Sequence, residues 1–324
     1  MSLVFDTVVP LFLVVLLGFG AGYVKWMSQE GVAALSGFVY YLAVPVMLFK
    51  ILAGGVIPNV EDFTLLWAYY GVTLSLYALA IGLRCRLFGA SLAEAALMGI
   101  NGFYSNTVLL GIPLVLILFG DDGLVPLMLI ISIHTVILVP LTTMLVEIGQ
   151  ATSKDAGRSP GEERGLAANV LQVGKSIVNG IVRNPIIMSL AAGSLYGLSG
   201  LSLPGPLVNF ADLMGAATAP CALFALGASM AGFRIAGDLR EVSCVIALKL
   251  LVHPLVMALV VLFVVDLEPL WATVAIFTAA MPAGVNAFVL ASQKDLYLAR
   301  SASIVALSTG FSVLSLSALV AFLL

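Results

Sequence analysis

Ten runs of mostly apolar residues follow one another along this 324-residue chain, parted only by short clusters of charge, Gly and Pro. A hydrocarbon core of about 30 Å takes roughly 20 apolar residues as a helix, because lipid offers the backbone no hydrogen-bond partners and only a helix or a closed barrel satisfies its own. The runs read as 3–26, 31–53, 63–88, 92–119, 123–148, 184–201, 206–233, 239–265, 269–293 and 296–324. With 61% hydrophobic and 10% charged residues, a globule of this size could not hide its apolar surface from water. The expected class is an all-α integral membrane protein of ten transmembrane helices. The first run lacks a basic flank and an A-x-A cleavage site, so it reads as a membrane helix and not a signal sequence.

Charge position tests that helix count independently of hydropathy. Threading ten spans puts Lys25, Arg84, Arg86, Lys154, Arg158, Arg164, Lys175, Arg183, Arg234, Arg240, Lys294 and Arg300 on one face. Asp6, Glu61, Asp62, Asp121, Asp122, Asp266 and Glu268 fall on the other. The positive-inside rule makes the first face cytoplasmic. The expectation is a multi-pass protein of the cytoplasmic (inner) membrane with both termini outside and a cytoplasmic linker at 150–183.

That linker parts two halves, 1–149 and 184–324, that repeat one another. Pro10, Gly18 and Gly22 recur as Pro185, Gly193 and Gly197, and Pro45, Leu48 and Phe49 recur as Pro220, Leu223 and Phe224, all at an offset of 175 residues. Asn106-Thr-Val-Leu-Leu-Gly111 resembles Asn286-Ala-Phe-Val-Leu-Ala291 at an offset of 180. Five crossings per copy bring the second copy in from the opposite side, which gives the inverted repeat of many secondary transporters.

The fourth and ninth spans each contain a poor helix former at mid-membrane: Asn101-Gly-Phe-Tyr-Ser-Asn106 followed by Gly111-Ile-Pro113, and Met281-Pro-Ala-Gly-Val-Asn286. Such segments survive only where protein or a water-filled cavity satisfies the freed backbone. One break alone is ordinarily a Pro kink with an Asn bonded to a neighbouring helix. Two breaks at corresponding places point to a site, and a half-helix N-terminus there suits a carboxylate.

Leu42-Ala-Val-Pro45-Val-Met-Leu-Phe49, the Asn106 to Pro113 stretch, Leu248-Lys-Leu-Leu-Val-His-Pro254 and Pro282-Ala-Gly-Val-Asn286-Ala-Phe-Val-Leu-Ala291 together resemble the auxin efflux carrier family in its bacterial form. The resemblance covers nearly the whole chain. It implies the ten-helix fold shared with bile-acid-type symporters, crossing helices four and nine at the substrate site, and an elevator-type motion. It implies a scaffold of helices one, two, six and seven, a transport domain of helices three to five and eight to ten, and a homodimer through helices two and seven. Family substrates are carboxylates, indole-3-acetate in plants and malate or malonate in bacteria. Asn106 and Asn286 are then expected near the substrate, with Pro282 and the segment Asn101, Tyr104 and Ser105 shaping the crossing.

Ionisable groups at membrane depth are functional candidates by default. Lys249, with His253 one turn further on, is a candidate for attracting the anion or for coupling; it could equally be a lysine tied to a carbonyl at a helix break. His134 is a weaker candidate of the same kind. Lys50 reads as snorkelling to the interface and Asp212 as interfacial. Phe103, Tyr104 and Phe288 either stack on a substrate or pack between helices.

The function expected from these features is secondary transport of a small organic carboxylate. The alternatives are a sodium-coupled bile-acid-type symporter and a transporter-like membrane sensor. Fourteen basic and seventeen acidic residues provide no basic field for nucleic acid. Cys85, Cys221 and Cys244 have no metal-ligand spacing and read as packing residues. No cofactor, metal or enzyme activity is expected, and the partners are the anion and the lipid bilayer.

Overall fold

The computed structural model describes residues 2–55, 63–154 and 178–323. Glu61, Asp62 and most of the 150–183 linker lie outside the described residues. Within them the protein is helical, with one isolated β-bridge and no longer strand. Its helices are α1 (Ser2–Tyr23), α2 (Gln29–Phe38), α3 (Val44–Ala53), α4 (Thr64–Phe88), α5 (Leu92–Phe103) and α6 (Ile112–Lys154). After the linker come α7 (Pro185–Leu198), α8 (Gly205–Met230), α9 (Leu239–Ala247), α10 (His253–Phe263), α11 (Pro269–Ala280), α12 (Val285–Gln293) and α13 (Leu298–Leu323). Among the described residues six helical stretches are long and apolar enough to cross a membrane, and four shorter apolar ones accompany them: Val8–Tyr23, Leu92–Phe103, Pro185–Leu198 and Pro269–Ala280. This is an all-helical, multi-pass membrane protein.

Local chemistry sets the helix ends. Ser91 accepts a hydrogen bond from the Glu94 N–H, Asn184 from Ile186, Asp238 from Arg240, and Glu268 from Leu270 and Trp271, each satisfying donors that a first turn leaves orphaned. Gly120 (φ 65°, ψ −156°) interrupts the long stretch of α6 at the boundary expected between the fourth and fifth spans.

Three π turns, Val39–Ala43, Thr107–Gly111 and Leu248–Val252, each stand just ahead of a proline: Pro45, Pro113 and Pro254. A proline ring collides with the carbonyl four residues back, here Tyr41, Leu109 and Leu250. Each of those carbonyls lies at the centre of its π turn, where the wider winding accommodates the ring.

Two helix contacts are reciprocal. A Cβ added to Gly18 of α1 would fall 2.1 Å from the Phe224 carbonyl oxygen of α8. A Cβ added to Gly193 of α7 would fall 2.9 Å from the Phe49 carbonyl oxygen of α3. Residues 18 and 193, like 49 and 224, are the repeat partners read from the sequence, so α1 packs on α8 as α7 packs on α3. Backbones approach this closely only where a side chain is missing. Across the same group of helices Lys50 of α3 pairs with Asp212 of α8; both side chains are partly exposed.

At the end of the bundle that carries Arg84, Glu241 of α9 accepts from Arg84 Nη2 of α4 at 2.9 Å, from Arg300 Nε of α13 at 3.2 Å and from the Tyr297 hydroxyl at 2.6 Å. This one carboxylate gathers the ends of three helices around the core formed by α4, α5, α6, α9, α12 and α13.

Candidate functional site

The two breaks meet. Helix α5 ends at Phe103, and Tyr104 takes extended geometry (φ −88°, ψ 108°) while its N–H still bonds Ile100. Helix α11 ends at Ala280. Pro282 pushes the residue before it away from helical geometry, and Met281 accordingly sits at φ −58°, ψ 148°. The extended segments run antiparallel, with Ser105 opposite Ala283. Asn106 N–H donates to the Pro282 carbonyl and Gly284 N–H to the Tyr104 carbonyl, both at 2.9 Å. A Cβ on Gly284 would fall 2.6 Å from the Tyr104 ring, which explains a glycine there.

Side chains from the flanking helices satisfy the backbone donors that this short bridge leaves over. Ser105 N–H donates to His134 Nε2 of α6 at 2.9 Å, and Ala283 N–H donates to Ser308 Oγ of α13 at 3.1 Å. His134 therefore carries its proton on Nδ1, which faces the Tyr70 oxygen at 3.4 Å, while the Tyr70 hydroxyl donates to the Ile130 carbonyl. His134 is a neutral acceptor that helps to hold the first break open.

Lys249 sits in the Leu248–Val252 π turn and is wholly buried. Its ammonium donates to Ser105 Oγ at 2.8 Å, to the Ala279 carbonyl at 2.7 Å and to His253 Nδ1 at 3.3 Å. The three acceptors belong to the first break, to the last turn before the second break, and to its own helix. His253 Nε2 meets Thr73 Oγ1 of α4 at 3.1 Å, and the Tyr69 hydroxyl lies 3.5 Å from Ser105 Oγ. Among the described residues no carboxylate pairs with Lys249. A cation in so apolar a place is costly without a counter-charge.

Of the residues singled out in the sequence, Tyr104, Ser105, Asn106, Pro282, Asn286, Lys249, His253 and His134 come together around this crossing. Asn106 is buried, and its Nδ2 is a donor without a partner among the described residues. Asn286 is exposed and donates to the Tyr104 hydroxyl at 2.8 Å, which also bonds Thr135 Oγ1 at 2.7 Å. Asn101 is turned elsewhere. It donates to the Leu97 carbonyl and accepts from the Ser301 hydroxyl, both at 2.8 Å, and so ties α5 to α13. Phe103 packs edge-on against His253, and Phe288 packs tilted against Phe233. Tyr69, Thr73, Thr135 and Ser308 escaped the sequence reading because a lone hydroxyl in an apolar helix makes no local pattern. A signal did exist: Tyr69 and Thr73 stand 180 residues before Lys249 and His253, the offset already found for Asn106 and Asn286. Among the described residues no cluster of His, Cys, Asp and Glu could hold a metal ion.

The model of the family described as "Membrane transport protein" matches residues 3–320. The chain is 26% identical over 313 residues to a protein of Rhizobium meliloti (strain 1021) named "Putative malonate transporter", covering 96% of this chain and 93% of that one. It is 25% identical over 313 residues to an "Uncharacterized transporter" of Methanothermobacter thermautotrophicus, covering 96% and 95%. The chain therefore belongs to the membrane transport protein family, the auxin efflux carriers that its motifs resemble, and it is a transporter, not an enzyme.

Proposed function

We propose that this member of the membrane transport protein family is a secondary transporter of a small organic carboxylate, and that the anion binds where the two breaks cross. The observation that carries the reading is the fully buried Lys249 ammonium, which reaches both breaks and has no carboxylate partner among the described residues. An anionic substrate supplies the missing counter-charge, and Asn106, the residue after Ser105, has an unpartnered Nδ2 that a carboxylate oxygen can take. Malonate is the first candidate, since a relative over nearly the full length carries that name; an indole-3-acetate-like monocarboxylate is the second.

The finer architecture follows the same reading. Ten transmembrane helices form two inverted five-helix repeats, and the reciprocal Gly18–Phe224 and Gly193–Phe49 contacts support that pairing. The helices carrying them, α1, α3, α7 and α8, together with α2 act as the scaffold and dimer surface. The remaining helices carry the crossing as one body through the membrane in an elevator-type motion. Both termini face outward and the linker is cytoplasmic.

The test is flux of labelled malonate and indole-3-acetate in proteoliposomes of the purified protein. Saturable uptake of one of them, with KM raised about tenfold in a folded Asn106→Ala variant, supports the reading. Saturable binding without flux marks a sensor instead, and wild-type flux in the Asn106→Ala protein removes the crossing as the site.

A further inference from the structure

At the crossing two oxygens meet at the Lys249 ammonium, groups of the type that hold a mobile coupling cation in broken-helix transporters. Such ions are bound by carbonyls at the C-terminal ends of half-helices and in unwound backbone. Here the Ala279 carbonyl, in the last turn of α11, and the Ser105 hydroxyl, in the first break, converge on a single point, and the ammonium of Lys249 occupies it. Among the described residues, the groups bonded to these acceptors include no carboxylate: Tyr69 from α4 and His134 from α6 bond Ser105, and Thr73 from α4 bonds His253 of α10. His134 is held as a neutral acceptor by the Ser105 N–H, and the Lys249 ammonium itself donates to His253 Nδ1. An ammonium has three protons and no acceptor capacity, and all three protons are engaged.

We propose that Lys249 is a tethered cation: its ammonium fills the cation position of the crossing, so that the two breaks stay joined and the substrate anion is balanced without a bound sodium ion. Lys249 is thus a positioning residue. It acts on the substrate through the crossing that it holds and through its charge, because its protons are already spent on protein acceptors. Removing the side chain leaves an empty, oxygen-lined position that a small free cation can enter.

The inference rests on the transport reading for its meaning but is tested without it. Thermal unfolding of purified wild-type protein, Lys249→Ala and Lys249→Met is measured in choline, sodium and methylammonium chloride. Wild type is expected to unfold at the same temperature in all three salts. Lys249→Ala is expected to unfold earlier in choline and to recover by roughly 2–4 °C in sodium or methylammonium at about ten times the dissociation constant. Lys249→Met, which fills the space with an apolar chain, is expected to respond to neither. A Lys249→Ala protein that no added cation stabilises, or that cannot be obtained folded in any of the three salts, overturns the proposal, as does a sodium-stabilised wild type. A cation-responsive Lys249→Ala protein beside a wild type that moves no anion leaves this inference standing and removes the transport reading alone.

Discussion

The Lys249 ammonium donates to the Ser105 hydroxyl at 2.8 Å, although 144 residues separate them in the chain. The contact joins a π turn in one half of the protein to the unwound segment of the other. It makes the shape of the first break depend on a charge carried by a different helix.

Ser105→Ala removes one of the three acceptors of Lys249 and leaves a buried ammonium proton unsatisfied. Hydrogen bonds to charged groups contribute about 1.5–3 kcal/mol, so anion flux in proteoliposomes is expected to fall by roughly tenfold or more. Ser105→Thr keeps the hydroxyl and is expected to retain most of the rate.

Asn106 tests the sign of the charge that the site accepts. Asn106→Asp places a carboxylate where the substrate anion is expected to sit and should abolish uptake while the protein still folds. Asn106→Ala removes only the donor and is expected to raise KM by about tenfold, corresponding to the loss of one charge-assisted hydrogen bond. Initial rates over a range of substrate concentration separate the two effects.

His134→Leu takes away the acceptor of the Ser105 N–H, which has no other partner within the bridge. An unsatisfied buried donor costs about 1–3 kcal/mol. The variant is expected to unfold several degrees below wild type in detergent, whatever the fate of the substrate.

Gly18 and Gly20 lie on the same helix with opposite surroundings. An added methyl at Gly18 meets the Phe224 carbonyl oxygen at 2.1 Å, whereas one at Gly20 meets nothing within 4 Å. Gly18→Ala is expected to cost about 1–3 kcal/mol, the usual penalty for overpacking, and Gly20→Ala to be neutral. Equal unfolding temperatures for the two variants would contradict the close approach of α1 and α8.

Two ion pairs should differ in the same assay. Glu241 is mostly buried and serves Arg84, Arg300 and Tyr297 together, so Glu241→Ala takes the carboxylate from Arg84 and Tyr297, leaves Arg300 only Glu94, and is expected to cost about 3 kcal/mol. Asp212 is half exposed, and Asp212→Asn is expected to cost under about 1 kcal/mol.

Much of the site was legible in the sequence because the relevant signals are local. Gly102 and Gly111 with Pro113 in one span, and Pro282 with Gly284 in the other, weaken a helix whatever surrounds them, so the breaks could be placed before any contact was known. Asn101 shows the limit. It belongs to the same polar run as Asn106, yet one helical turn rotates it toward Ser301 and away from the crossing. Lys50 and Asp212 are similar: each reads alone as an interfacial charge, and only the packing of α3 on α8 makes them a pair.

The sequence by itself determined the apolar spans, the repeated Pro and Gly spacing, and the positions of the two breaks. These depend on helix propensity, span length and charge, which are set within a few residues of chain. The tertiary structure decided that Ser105 lies opposite Ala283, that His134 and Ser308 complete the bridge between them, and that Lys249 spends its three protons on both breaks and on His253. Those relations join groups up to 178 residues apart. They follow from the need to satisfy every freed backbone donor where neither water nor lipid can do so, and no local pattern encodes which distant side chain will meet that need.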